Sequence, residues 1–97
     1  VTDDNISTEW ARIPHFYTAF YVYKYATGIS AALALAKKVT SGGEKEREDY
    51  FKFLKSGGSR YPIESLKIAG VNMEEIEPIQ MALDEFKNIV DQLKQIL

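Results

Sequence analysis

The stretch from Ile13 to Gly28, IPHFYTAFYVYKYATG, holds the only histidine of the chain and four of its six tyrosines. Phenylalanine would fill the same volume without a hydroxyl, so these phenols indicate groups that reach water, a polar network or a ligand. A phenol is a neutral hydrogen-bond donor near pH 7, and an imidazole can donate likewise, which suits an oxyanion in a tetrahedral intermediate. The candidate residues for this chemistry are His15, Tyr17, Tyr21, Tyr23 and Tyr25.

Metal chemistry is not expected from these 97 residues alone. Zinc takes three or four protein ligands, commonly cysteines or histidines paired at helical spacing. The chain has one histidine, no cysteine and no HExxH motif, so we expect it to bind no metal by itself. The lack of cysteine also excludes disulfides and thiol catalysis. No Ser/His/Asp set can be assembled around His15, which argues against a free-standing hydrolase.

The composition is that of one soluble globular unit spanning residues 1–97. The chain is 45% hydrophobic and 27% charged, with a net charge of −2 and both signs interspersed, which fits a folded domain. Nucleic acid is not an expected partner because there is no basic field. No apolar run approaches the roughly 20 residues of a membrane span. We expect a cytoplasmic protein, and the absence of an initiator methionine favours a fragment of a longer one.

The hydrophobic pattern predicts helices throughout and no strand. The longest predicted helix runs from about Phe16 to Val39 and is apolar on nearly all sides, as in a central helix surrounded by others. It would place Tyr17, Tyr21, Tyr25 and Ile29 in one i, i+4 stripe. On ideal helix geometry Tyr23 would point about 160° away from Tyr21. Phe16, Phe20 and Val22 are most simply core residues of this helix.

Three further helices complete the predicted all-α small helical bundle. They run from about Glu44 to Lys55, from Ile63 to Ala69 and from Pro78 to Ile96, and glycine-containing turns end the first two. In the second helix of the chain we expect Tyr50, Phe51 and Leu54 to face inward. The last helix is amphipathic. Its apolar stripe consists of Ile79, Leu83, Phe86, Ile89 or Val90, Leu93 and Leu97.

Two phrases of the sequence resemble a known family. The blocks WARIPHFYTAFYVYKYATGISAALALAKKV and YFKFLKSGGSRYPIESLKIAGVNM are similar to the C-terminal end of the oligoendopeptidase F peptidases, in the thimet oligopeptidase-like zinc metallopeptidase family. The resemblance extends from about Trp10 to Leu97, with both blocks in the right order. Composition alone would favour an aromatic core of a helical domain, and the resemblance is what favours an enzyme.

This resemblance implies an all-α catalytic domain around a deep channel, in which zinc is held by an HExxH helix and a later glutamate. Those ligands are absent here, so the chain would be the C-terminal part of the domain, inactive alone, with zinc bound only by the full-length enzyme. The implied partners are short peptide substrates and the missing N-terminal part of the same enzyme. His15, Tyr21 and Tyr23 are carried over as oxyanion or substrate donors, and Tyr17 and Tyr25 as further substrate-binding residues.

The alternative is a non-enzymatic helical interaction domain whose exposed apolar surface binds a partner helix. Either interpretation predicts that the isolated chain tends to self-associate, because too few helices are present to enclose the apolar central helix. The two hypotheses differ in what should be encoded upstream of Val1. An HExxH motif there would identify the peptidase.

Overall fold

The computed structural model describes residues 3–97 and confirms an all-α chain. Two 3-10 helices, Asp4–Arg12 and Pro14–Tyr17, precede four α-helices. The α-helices are α1 (Tyr23–Ser41), α2 (Glu44–Ser56), α3 (Pro62–Ile68) and α4 (Glu77–Ile96). Residues 3–97 contain no strand, and no helix within that range is long and apolar enough to cross a membrane.

The prediction of a helix beginning near Phe16 is wrong, because the α-helix begins only at Tyr23. The preceding residues form the short 3-10 helix and then turns, and Phe20 has a positive φ of 61°, which ends any continuous helix there. Aromatic residues lose side-chain freedom in a helix and favour it weakly. A segment that is apolar on all sides matches a helical pattern and other patterns equally well, so its hydrophobic residues do not identify a helix. The helical stripe through Tyr17, Tyr21 and Tyr25 is therefore not formed.

The end of α1 at Ser41 agrees with the predicted end near Val39 to within two residues. Gly42 follows the helix, and its backbone N–H donates to the carbonyl of Lys38 at 2.9 Å. A Cβ atom on Gly42 would lie only 2.4 Å from that same carbonyl oxygen, so the turn into α2 needs glycine for steric reasons. The α2 helix then begins with the Glu46 side chain accepting a hydrogen bond from the Gly43 N–H at 2.7 Å.

The core is small and lies on one side of α1. This helix packs against α4 and α2, and α2 packs against α3. The buried apolar residues are Ala31, Ala34, Ala69 and Val71, together with Pro78. They come from the middle of α1, from the turn after α3 and from the first turn of α4, so the tertiary contacts depend mainly on small side chains. The predicted bounds of α2, α3 and α4 agree with the structure to within one or two residues.

Several residues predicted to lie in the core are instead exposed. Phe20 is 91% exposed and Phe16 is 51% exposed. In α2 the half-buried aromatic residues are Tyr50 and Phe53, which face α1 across a cavity, whereas Phe51 and Leu54 are more than half exposed. The physical reason is that residues 3–97 include too few helices to cover every apolar face.

The α4 helix contacts α1 through only one edge of its apolar surface. Pro78 is buried, and Met81 and Glu85 line a cavity shared with α1. The predicted apolar stripe is turned about 130° from that contact edge, at about 100° per residue. Its large side chains are mostly exposed, including Leu83 at 59% and Phe86 at 67%. The stripe exists as predicted, but it does not face a partner within residues 3–97.

Candidate functional site

The aromatic segment brings His15 and Tyr21 together. The short helix Pro14–Tyr17 carries His15, and the turn before α1 carries Tyr21. Their rings stack with centroids 5.1 Å apart and planes inclined by 28°. Pro14, His15, Thr18 and Tyr21 line a shallow cavity of about 170 Å³. Because enclosed ligand pockets are roughly 300–1,000 Å³, this cavity is too small to enclose a ligand by itself.

Tyr25 and Lys24 extend this cluster onto the first turn of α1. The Tyr21 and Tyr25 rings meet edge to face with centroids 6.2 Å apart. The Lys24 ammonium lies 4.0 Å from the Tyr21 ring centroid and 5.3 Å from that of Tyr25, which is cation–π geometry. We call His15, Tyr21, Lys24 and Tyr25 the aromatic cluster. All four of its members are at least partly open to solvent.

Tyr17 and Tyr23 lie outside the aromatic cluster. The hydroxyl of Tyr17 donates a hydrogen bond to the carbonyl oxygen of Ala11, so that phenol joins the two 3-10 helices. Tyr23 is the first residue of α1 and is 66% exposed. The ring contacts found within the described part of the segment Ile13–Gly28 join His15 to Tyr21 and Tyr21 to Tyr25, and they do not include Tyr23.

The aromatic cluster presents donors to whatever lies against it. An imidazole N–H, two phenol hydroxyls and an ammonium are all groups that can donate to a carbonyl oxygen, an oxyanion or a carboxylate. An ammonium also supplies positive charge, which strengthens hydrogen bonds to an anionic oxygen. The arrangement can therefore bind and polarise an oxygen atom, while a nucleophile or a metal would have to come from elsewhere.

The residues described here do not fit a zinc site. Within residues 3–97, no group of three or more His, Cys, Asp or Glu side chains is close enough to hold a metal ion. His15 stacks on Tyr21 and has no second histidine to pair with.

Two members of the site were not identified from the sequence. Thr18 lines the cavity beside His15, but an isolated threonine carries no sequence signal. Lys24 did carry one, because it is the only Lys, Arg, Asp or Glu between Arg12 and Lys37. A single lysine within an aromatic run is a signal for cation–π contact.

Comparison with known proteins gives consistent results. Residues 1–85 match the family profile described as Peptidase family M3. The chain is 47% identical over 97 residues to "Oligopeptidase PepF" of Bacillus subtilis, covering 100% of this chain and 14% of that protein. It is 46% identical over 92 residues to "Oligoendopeptidase F, plasmid" of Lactococcus lactis subsp. cremoris, covering 95% and 15%.

A third relative, "Oligoendopeptidase F homolog" of Borreliella burgdorferi, is 45% identical over 94 residues, which covers 97% of this chain and 16% of that protein. No solved structure matches the chain. The chain spans about a seventh of the length of the curated relatives that it matches. Because the family profile and these relatives cover nearly all of the 97 residues, the chain belongs to peptidase family M3.

Proposed function

We propose that this chain is the C-terminal segment of a zinc-dependent oligopeptidase that hydrolyses short peptides in the cytoplasm. The observation that carries the proposal is 47% identity over the whole chain to a protein named as an oligopeptidase. The absence of cysteine suits a reducing compartment. In this proposal the aromatic cluster is one wall of the peptide-binding channel, and the remaining walls come from the rest of the polypeptide.

Within that wall, His15 and Tyr21 donate hydrogen bonds to the carbonyl oxygen of the scissile peptide bond. Their rings stack with centroids 5.1 Å apart, and donors that are held in place stabilise the negative charge that develops on this oxygen in the transition state. Tyr23 is the alternative donor, since it is exposed and close in sequence. Tyr25 and Tyr17 contact the substrate chain beside the donors.

Lys24 adds a positive charge next to these donors. Its ammonium lies over the Tyr21 ring, where it attracts the electron-rich face and limits the movement of that side chain. A peptide carries a carboxylate at its C-terminus as well as backbone carbonyls. The proposed wall therefore favours oxygen-rich peptide backbone over apolar ligands, whatever the side chains of the substrate.

Zinc enters this proposal only as a metal held by residues outside the chain. The 97 residues contain one histidine and no cysteine, which are too few ligands for a zinc site. We expect elemental analysis of the isolated chain after dialysis to find no stoichiometric zinc. One tightly bound zinc ion per chain would contradict this expectation and would show that the chain itself supplies the zinc ligands.

The proposal is tested on the full-length protein with a short internally quenched fluorescent peptide. We expect cleavage that stops when the metal is removed with a chelator and returns when zinc is added. We also expect an HExxH motif in the sequence that precedes these residues. A full-length protein that has no such motif and cleaves no short peptide would overturn the proposal.

A second candidate function is that of a non-enzymatic helical interaction domain. The observation in its favour is the large number of exposed apolar side chains, which include Phe20, Phe86 and Leu93. The two candidates differ in what the full-length protein does. A protein that captures a partner stoichiometrically but cleaves no peptide, with or without zinc, fits the interaction domain.

A further inference from the structure

The chain exposes more surface than a protein of its mass requires. Its solvent-accessible area is 8029 Å², whereas a compact 11.0 kDa protein has about 5,600 Å². Its radius of gyration is 17.2 Å, whereas a compact chain of this length has about 12.5 Å. The excess area, about 2,400 Å², is what one side of a large obligate interface buries.

A well-ordered part of this excess lies on α4. Its outer face consists of Ile79, Leu83, Phe86, Val90, Leu93 and Leu97. Except for Val90, these side chains are between 39% and 95% exposed. The outer face extends for about 27 Å along the helix, at about 1.5 Å per residue. Charged residues lie along one edge of this face and beyond it, where Asp91 contacts Lys87 at 3.9 Å and Lys94 at 3.7 Å.

The spacing of the outer face indicates the shape of what covers it. Successive members are separated by four, three, four, three and four residues, which is the a/d pattern of helix pairs that pack nearly parallel, at about 20°. Such a stripe is complementary to another α-helix lying along it. A flat sheet or a loop would not follow a repeat of 3.5 residues over five intervals.

We propose that the outer face of α4 docks an α-helix from the part of the same polypeptide that lies outside these 97 residues. The inference rests on the proposed function only in treating the chain as a segment of a longer peptidase. Its relatives are about seven times longer than the chain, so most of the folded mass that could cover this face lies elsewhere in the polypeptide. The excess area is also larger than one helix–helix contact between two copies would bury.

The charges beside the outer face specify the partner helix further. Lys87 and Lys94 both follow an outer-face residue directly, and their side chains are 80% and 73% exposed. Flanking charges of one sign favour a neighbour with the opposite sign at the matching positions. A helix with an apolar a/d stripe and acidic residues along the edge next to these lysines, which already contact Asp91, would match this surface.

The test measures thiol labelling in the full-length protein, because residues 1–97 contain no cysteine. Leu93→Cys places a thiol on the outer face, and Gln95→Cys places one about 160° away on the same turns of α4. Labelling of the parent protein is subtracted, and each variant is normalised to its rate in denaturant. We expect Leu93→Cys to react at least ~10-fold more slowly than Gln95→Cys, because the covered site reacts only after local opening.

Equal labelling rates of the two variants would overturn the proposal, whether both thiols react rapidly or both are protected. In either case protection would not be confined to the outer face. Sedimentation of the same sample identifies the occupant. Protection in a monomer supports the rest of the polypeptide, whereas protection that disappears as a dimer dissociates on dilution indicates a second copy and overturns it. Labelling requires no catalysis, so an inactive full-length protein would refute the proposed function and leave this result unaffected.

A second pair of variants covers the case in which the cysteine at position 93 prevents folding. We expect Leu93→Glu to lower the midpoint of thermal unfolding of the full-length protein, because a carboxylate would be buried against apolar groups. Gln95→Glu makes the same charge change on the opposite face and should leave the midpoint unchanged. Equal midpoints for the two variants would overturn the docking proposal.

Discussion

At the scale of single residues, the sequence identified the candidate residues but not their arrangement. One histidine and four tyrosines within sixteen residues directed attention to Ile13–Gly28, because a phenol needs water or a hydrogen-bond partner. Their arrangement depends on Phe20, whose positive φ redirects the chain just before α1. Pattern reasoning had no means of predicting that conformation, since Phe rarely adopts it.

This change of chain direction places Tyr21 rather than Tyr23 beside His15. A Tyr→Phe series in the full-length enzyme tests which of these hydroxyls acts in the reaction. We expect Tyr21→Phe and His15→Ala each to lower kcat by about 100-fold with little change in KM, as for the loss of one oxyanion donor. Tyr23→Phe, Tyr17→Phe and Tyr25→Phe should have smaller effects. Tyr→Phe removes only a hydroxyl, so the packing of the ring is preserved.

The matched control is Tyr61→Phe, because Tyr61 is a 79% exposed tyrosine at the start of α3, outside the aromatic cluster. It should retain the parent kcat. If Tyr23→Phe shows the large loss and Tyr21→Phe does not, the donor is Tyr23 and the stacked pair has a packing role. If all the variants retain the parent kcat, the aromatic cluster is not part of the reaction centre.

At the scale of the helices, local signals succeeded where they were chemically specific. The glycine-containing turns marked the true ends of α2 and α3, and proline lies in the first turns of α3 and α4. These signals depend on backbone groups near each helix end. The start of α1 had no such signal, since Val22 precedes it without a side-chain cap, and the predicted boundary was wrong by seven residues.

The start of α2 predicts a pH effect on stability. The pKa of Glu46 is lowered by hydrogen bonds from its own backbone N–H and from that of Gly43, so folding favours the charged carboxylate. This contribution is complete above the unfolded-state pKa of about 4.3 and is lost as the pH falls through the lower folded-state pKa. We expect the parent protein to unfold at a higher temperature than Glu46→Gln at pH 7.

The difference between the parent and Glu46→Gln should shrink steadily as the pH falls below about 4, because the carboxyl is then protonated in both states. Thermal unfolding followed by circular dichroism at a series of pH values measures it. Glu48→Gln, a substitution at an exposed position of the same helix, is the control. A difference between the parent and Glu46→Gln that is constant with pH would mean that the hydrogen bond does not depend on the charge of Glu46.

At the scale of the whole molecule, the hydrophobic pattern predicted which faces are apolar but not which of them find a partner. The stripe on α4 was predicted residue by residue, yet only an edge of the α4 apolar surface contacts α1. In the same way, α1 contacts α2 and α4 as a central helix should, but buries only Ser30, Ala31 and Ala34. The periodicity of apolar residues shows which face of a helix is apolar. Covering that face also requires a neighbouring element, which residues 3–97 do not supply.

The uncovered faces predict that the isolated 97-residue chain self-associates, because apolar side chains left in water favour contact with one another. We expect its apparent mass in light scattering to rise with concentration, together with binding of a hydrophobic dye. Replacing Phe86 and Leu93 by Gln should lower both signals, since it removes two large members of the outer face. Asp84→Asn combined with Lys87→Gln changes the charged side of the same helix without altering net charge, and should lower neither. A chain that remains monomeric and binds no dye would show that the exposed apolar side chains find cover within the chain itself.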